Sequence, residues 1–149
     1  MTEKIKILFL CTGNSCRSQM AEGWAKQLKG DQCEFFSAGI ETHGLNPNAV
    51  KVMSEAGVDI SHHQSQNINE FKEIKLNFVI TVCGNAHETC PVFANDCNVI
   101  HVGFDDPPKL ANEIEKRGGT AEEQIECYRL VRDKIKNYIE TLPSSLSQS

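Results

Sequence analysis

The chain has 149 residues, 40% of them hydrophobic and 23% charged, with a net charge of −5. That is one ordinary globular domain's worth of residues. No stretch approaches the ~18 apolar residues of a membrane span, and an acidic balance disfavours nucleic-acid binding, which wants a basic face. A small anionic substrate stays open, because backbone dipoles and one arginine can outweigh distant carboxylates.

The first element is "IKILFL" (residues 5–10), dense in branched and aromatic side chains and expected as a strand buried on both faces. Residues 18–29 place Met20, Trp24 and Leu28 on one helical stripe. "CEFFSAG" (33–39) reads as a second strand. Asn46-Pro47 opens a helix with inner positions Val50, Met53 and Ala56, ended by Gly57. Residues 61–75 are polar, with a short helix near Asn69–Lys72. "FVITVC" (78–83) and "NVIHV" (98–102) are the third and fourth strands. "GFDDPP" (103–108) reads as a loop, and residues 109–120 as a mobile, charged surface segment ending in Gly118-Gly119. The last helix starts near Thr120, with Glu123 as capping-box partner and Tyr128, Val131, Ile135, Tyr138, Ile139 and Leu142 as its apolar stripe.

Strands alternating with helices imply an α/β fold: a single-domain, four-stranded parallel sheet with helices on both faces. The simplest doubly wound order is 2-1-3-4. The domain is expected over residues 1–142, with 143–149 as a flexible tail. Ligands bind such sheets at the carboxyl ends of the strands, where the winding reverses. The loops there begin at Cys11 and Cys83.

Seven cysteines (11, 16, 33, 83, 90, 97 and 127) are many for a chain with no charged-apolar-small leader pattern. An odd number and an expected cytoplasmic location argue against a static disulfide framework. Catalysis, metal binding and buried thiols remain.

"CTGNSCRS" (11–18) carries chemistry. The chain leaves a strand, passes Thr12, Gly13, Asn14, Ser15 and Cys16, and enters a helix at Arg17. Gly13 allows unusual backbone angles. Inward N–H groups and the helix's positive end then form a cradle for a tetrahedral oxyanion. Arg17 adds a bidentate fork. The same positive field favours a thiolate at Cys11, as such fields lower cysteine pKa values to roughly 3.5–7.5. Ser18 can donate a hydrogen bond to that sulfur. The nucleophile therefore faces the central atom of a bound anion. Displacement there needs an acid for the leaving oxygen. Asp106, after strand 4 and held out of helical angles by Pro107, is the candidate.

"FLCTGNSCRSQMAEGWAK", "SAGIETHGLNPNAV", "DIS", "VITVCG", "CP" and "GFDDP", in that order, resemble the low-molecular-weight tyrosine phosphatase family, and most closely its thioredoxin-coupled arsenate reductase branch. The resemblance implies Cys11 as nucleophile, Arg17 as anion binder, Ser18 as thiolate stabiliser, Asp106 as general acid, and Cys83 and Cys90 as a redox pair served by thioredoxin. Two departures from the phosphatases disfavour a phosphotyrosine substrate: Gln19 where they carry proline, and Pro108 where they carry an aromatic after Asp-Pro. Reducing arsenate to arsenite takes two electrons, which a dithiol supplies.

A disulfide between Cys83 and Cys90 requires their Cα atoms within ~7 Å, whereas seven helical residues span roughly 10 Å. Residues 83–97 are therefore expected to rearrange on oxidation. Cys16 is either a packing thiol or a trap for Cys11 under oxidation, and Cys33, Cys97 and Cys127 are expected to have no catalytic role.

The resemblance also implies a potassium site at Asn14, Glu22, Ser37 and an acidic position where Gln66 aligns. A neutral amide there weakens cation binding, so no tightly bound cofactor is expected. The alternatives are a phosphatase of the same fold, which has no need of Cys83 or Cys90, and a metal or arsenic sensor using Cys83, Cys90, Cys97 and His87. The last lacks zinc-like Cys-x2-4-Cys spacing. A monomer is expected, with arsenate and thioredoxin as partners and neither nucleic acid nor membrane.

Overall fold

The computed structural model describes residues 4–82 and 98–148. Strand β1 (Ile5–Cys11) leads into helix α1 (Arg17–Lys29), β2 (Cys33–Gly39) and α2 (Pro47–Glu55). A short 3-10 helix at Ile68–Phe71 precedes β3 (Phe78–Thr81). β4 (Asn98–His101), α3 (Pro107–Lys116) and α4 (Ala121–Ile139) follow. The four strands form one parallel sheet in the order β2-β1-β3-β4. Cys83, Cys90 and Cys97, and the rearrangement expected over 83–97, lie outside the described residues.

Consecutive residues of a strand point to opposite faces. Ile7, Leu8, Phe9 and Leu10 are all fully buried, so both faces of β1 are covered. Each such side chain contributes roughly 2 kcal/mol by leaving water. β1 is thus anchored at the centre of the sheet, and Cys11 at its end stands on a rigid base. α1 packs on β1 and β2, and α4 packs against α1, α2 and α3.

Local chemistry sets the helix starts. The Asn46 side chain accepts from the amides of Asn48 and Ala49, with Pro47 in the first turn. Thr120 and Glu123 form a capping box. The buried face of α2 is Ala49, Val52 and Met53. Val50 and Ala56 are only partly buried, because the i, i+3, i+4 stripe starts at Ala49, one position before Val50.

Residues 109–120, read from sequence as a mobile surface segment, are helical through Lys116. Two prolines occupy the first turn, where a missing N–H costs nothing, and Leu110, Ala111 and Ile114 make the inner stripe. The Pro-Pro pair that suggested a loop is a helix start. At the carboxyl end Ser144–Gln148 form a short 3-10 helix and Leu146 is buried, where sequence suggested a frayed tail. Among the described residues no helix is long and apolar enough to cross a membrane.

Candidate active site

Between the end of β1 and the start of α1 the loop is held from outside. Ile40 N–H donates to the Cys11 carbonyl at 3.2 Å, Glu41 N–H to Thr12 at 2.9 Å, His43 N–H to Gly13 at 3.0 Å and Asn46 N–H to Ser15 at 3.0 Å. The Ser65 hydroxyl also donates to the Gly13 carbonyl at 2.8 Å. In a trans peptide the N–H opposes the C=O. The amides following these carbonyls therefore point away from the 40–46 segment. Cys16 at the start of α1 makes no side-chain cap, and the first turn carries no acidic residue. The helix's positive end is thus not offset by an acidic residue in its own first turn.

The left-handed residue of this loop is Asn14, with φ of 48°, and not Gly13. Gly13 is needed for a different reason: a Cβ there would collide with the His43 ring. Gly39 is constrained likewise, since a Cβ would strike the backbone of Thr12, Asn14 and Glu41. Asn14 accepts its strained angles within a buried network. Its Oδ1 receives Gln66 N–H at 2.7 Å and Gln19 Nε2 at 3.0 Å, and its Nδ2 donates to Ser18 Oγ at 2.8 Å. Gln19 Nε2 also reaches the carbonyls of Asn14 and Gln64. A proline at position 19 could make none of these bonds. Ser18 is fully buried, and because Oγ accepts from Asn14, its hydroxyl hydrogen is left to donate elsewhere.

Cys11, Thr12, Gly13, Ser15, Cys16 and Arg17 line one cavity of about 410 Å³ together with Asp106, arriving from the start of α3. His43, Asn46 and Pro108 also line it, and none of these described lining residues is Phe, Tyr or Trp. Asn14 and Ser18 lie behind it. Arg17 Nη1 donates to the Phe104 carbonyl at 3.0 Å and Nη2 stands 3.7 Å from Asp106 Oδ1. Its Nε is buried without a hydrogen-bond partner among the described residues. Buried donors are rarely left so, and an anion in the cavity would satisfy it. Asp106 has extended angles (φ −90°, ψ 104°) and makes no side-chain cap on α3, so its carboxylate is available to the cavity.

Burial pushes the Cys16 thiol up to about 12, with Arg17 opposing the rise and Asp106 adding to it. Cys16 is held as a neutral packing thiol. Behind it, burial raises Tyr128, whose hydroxyl accepts from Asn46 Nδ2 at 3.2 Å. Asn46 thus ties the loop at Ser15 to α2 and α4.

The groups suggested for potassium are otherwise engaged. Glu22 binds the Lys26 ammonium and the Ser37 hydroxyl, while Asn14 Oδ1 already accepts two N–H groups. Lys26 supplies the positive charge that a monovalent cation would bring, so these residues do not fit a resident metal. Among the described residues no cluster of His, Cys, Asp and Glu could hold one either.

Sequence reasoning did not single out His43, Asn46 or the Gln19–His63 pair as part of this site. His43 follows the end of β2, so the strand-end logic that located Asp106 points to it too.

Comparison with known proteins agrees with this geometry. The family model for low molecular weight phosphotyrosine protein phosphatase matches residues 6–149. An arsenate reductase of Halalkalibacterium halodurans is 49% identical over 95% of this chain and 96% of its own. That of Bacillus subtilis is 50% identical over 92% and 93%. A solved arsenate reductase in a phosphate-binding state superposes with a TM-score of 0.72 at 30% identity, covering 95% of this chain and 98% of its own.

Proposed function

The chain belongs to the low molecular weight phosphotyrosine protein phosphatase family, and on that premise we propose that it reduces arsenate to arsenite. The observation that carries the reading is the buried Arg17 Nε, without a hydrogen-bond partner among the described residues, beside a loop whose Cys11, Thr12, Gly13 and Ser15 carbonyls are all held by the 40–46 segment. The cavity thus offers hydrogen-bond donors for an oxyanion and, in Cys11, a nucleophile on the same wall. Relatives named arsenate reductase at about half identity over nearly the whole chain direct the choice of anion. Pro108 lines the cavity at the position where the phosphatases carry an aromatic after Asp-Pro, which favours the small oxyanion over a phosphotyrosine side chain.

In this mechanism the Cys11 thiolate attacks arsenic while Asp106 protonates the departing oxygen as water. Arg17 and the loop amides hold the remaining oxygens, and Ser18 stabilises the sulfur. Cys83 then attacks the Cys11 sulfur. The sulfur–arsenic bond breaks with its electron pair going to arsenic, and arsenite leaves. Cys90 displaces Cys11 from Cys83, and thioredoxin reduces the resulting Cys83–Cys90 disulfide. The reducing cytoplasm supplies that partner, and the protein works as a monomer without a bound cofactor.

The test is arsenate-dependent NADPH oxidation with thioredoxin and thioredoxin reductase. Turnover that depends on all three components supports the reading. Hydrolysis of small aryl phosphates with no arsenate reduction would make the protein a phosphatase instead.

A further inference from the structure

His43 stands at the mouth of the cavity, outside the roles assigned above. Its backbone N–H donates to Gly13, and its ring lies against Gly13 so closely that no Cβ could be placed there. Nδ1 is the ring atom nearest that point, and Nε2 is paired with Glu41 Oε2 at 2.6 Å. The imidazole is therefore held by a carboxylate at one nitrogen while the other faces the loop. About half of the side chain is open to solvent, so it can exchange protons with water. Among the described residues, the charged and titratable groups that pair with it or line the same cavity are Glu41 on its own segment, Cys11, Cys16 and Arg17 on the loop and α1, and Asp106 at the start of α3.

The proton balance of the proposed reduction shows what such a group can do. In the first step the Cys11 thiolate and the dihydrogen arsenate monoanion form a sulfur–arsenic bond and break one arsenic–hydroxyl bond. The adduct keeps three oxygens, one proton and one negative charge on the arsenate group. The hydroxide leaves as water with one proton from Asp106. In the second step a thiolate attacks the Cys11 sulfur. A disulfide forms, the sulfur–arsenic bond breaks, arsenic keeps the electron pair, and the product is the arsenite dianion with one proton. Arsenite is released near neutral pH as uncharged arsenous acid, which carries three protons, so this step takes up two. The attacking thiol provides one on ionising. The other has to be supplied within the cavity or by water, and Asp106 has given its proton in the first step, so a second side-chain donor beside the loop would speed this one.

We propose that His43, oriented by Glu41, is that second donor and protonates the arsenite oxygen as it departs. This rests on the reductase reading above. A transferred phosphoryl group leaves without reduction, so a phosphatase cycle has no use for this proton. An imidazole is suited to the task because its charge changes between about pH 5 and 8.

The experiment is a single turnover of the fully reduced, full-length protein with arsenate, quenched and assayed for arsenite across that pH range. It compares wild type with H43Q and E41Q, and measures inorganic phosphate as a competitor for the cradle. H43Q is expected to release arsenite roughly 100-fold more slowly near pH 6, at the low end of the range of general acid catalysis. The wild-type to H43Q rate ratio should fall towards one as pH rises and the imidazolium is lost. E41Q, which removes the carboxylate that holds the ring at Nε2, should lose part of the same rate. Inhibition by phosphate should change far less than the rate in both. A rate ratio that is flat with pH, or a loss of phosphate affinity matching the loss of rate, would overturn the proposal. Wild type that forms no arsenite would overturn the reductase reading, and this role with it.

Discussion

The guanidinium of Arg17 and the carboxylate of Asp106 face each other at 3.7 Å across the cavity, one from the start of α1 and the other from the start of α3. The separation is longer than a hydrogen bond, and Nη1 is held by the Phe104 carbonyl. The fork is thus aimed but not neutralised. Arg17→Lys keeps the charge and loses the planar fork and the Nε donor. We expect kcat/KM for arsenate to fall about 100-fold or more, in line with removal of an oxyanion donor. Steady-state kinetics with phosphate inhibition will show whether binding falls with it.

Asp106→Asn removes the proton donor and, with it, a negative charge beside the anion. Turnover of arsenate and of aryl phosphates should fall together by roughly 100-fold or more. Phosphate should bind as tightly as before, or more tightly. Weaker phosphate binding would give Asp106 a structural role instead.

The buried Cys16 thiol, pushed up to about 12, stays protonated at neutral pH. The thiolate is the reactive species. Brief alkylation of the folded protein should therefore modify Cys11 and spare Cys16, and phosphate should protect Cys11. Peptide mapping by mass spectrometry reads both. Cys16→Ala should keep most of the activity.

His63 lies beneath the loop, its Nδ1 donating to Gln19 Oε1 at 2.9 Å and standing 3.9 Å from Glu22. Its pKa is lowered, chiefly by burial, with Glu22 opposing and Lys26 and His62 adding to the shift. Below the ordinary imidazole value of about 6.5 the unfolded chain binds a proton that the folded chain resists. Stability should hold above that pH and decline as pH falls through it towards the folded-state value. His63→Gln should flatten the Tm profile between about pH 5.5 and 7.5, a window in which histidine dominates the titration. An unchanged profile would place the pH dependence elsewhere.

Much of this was legible in the chain. Alternating apolar runs and capped helices led to the order 2-1-3-4, because parallel strands with right-handed crossovers leave few alternatives. That Cys11, Arg17 and Asp106 meet in one cavity was legible because each lies in a segment that leaves the carboxyl end of a strand. α3 was not, since its charged outer face hid the Leu110–Ile114 stripe and its prolines read as a loop. Nor was the role of Gly13, which depends on the approach of His43 from a distant segment. The Gln19–Asn14–Gln66 network was hidden in part for the same reason: Gln19 lies five residues from Asn14, but no local pattern marks a buried amide whose other partner, Gln66, lies some fifty residues on.

The most direct measurement of the proposed chemistry is a single turnover of reduced Cys90→Ser with arsenate and no thioredoxin, read by arsenite yield and disulfide mapping. We expect about one arsenite per chain and a trapped Cys11–Cys83 disulfide, with neither formed by Cys11→Ser or Cys83→Ser. Arsenite production that survives Cys83→Ser, or a trapped disulfide that excludes Cys11, would contradict it.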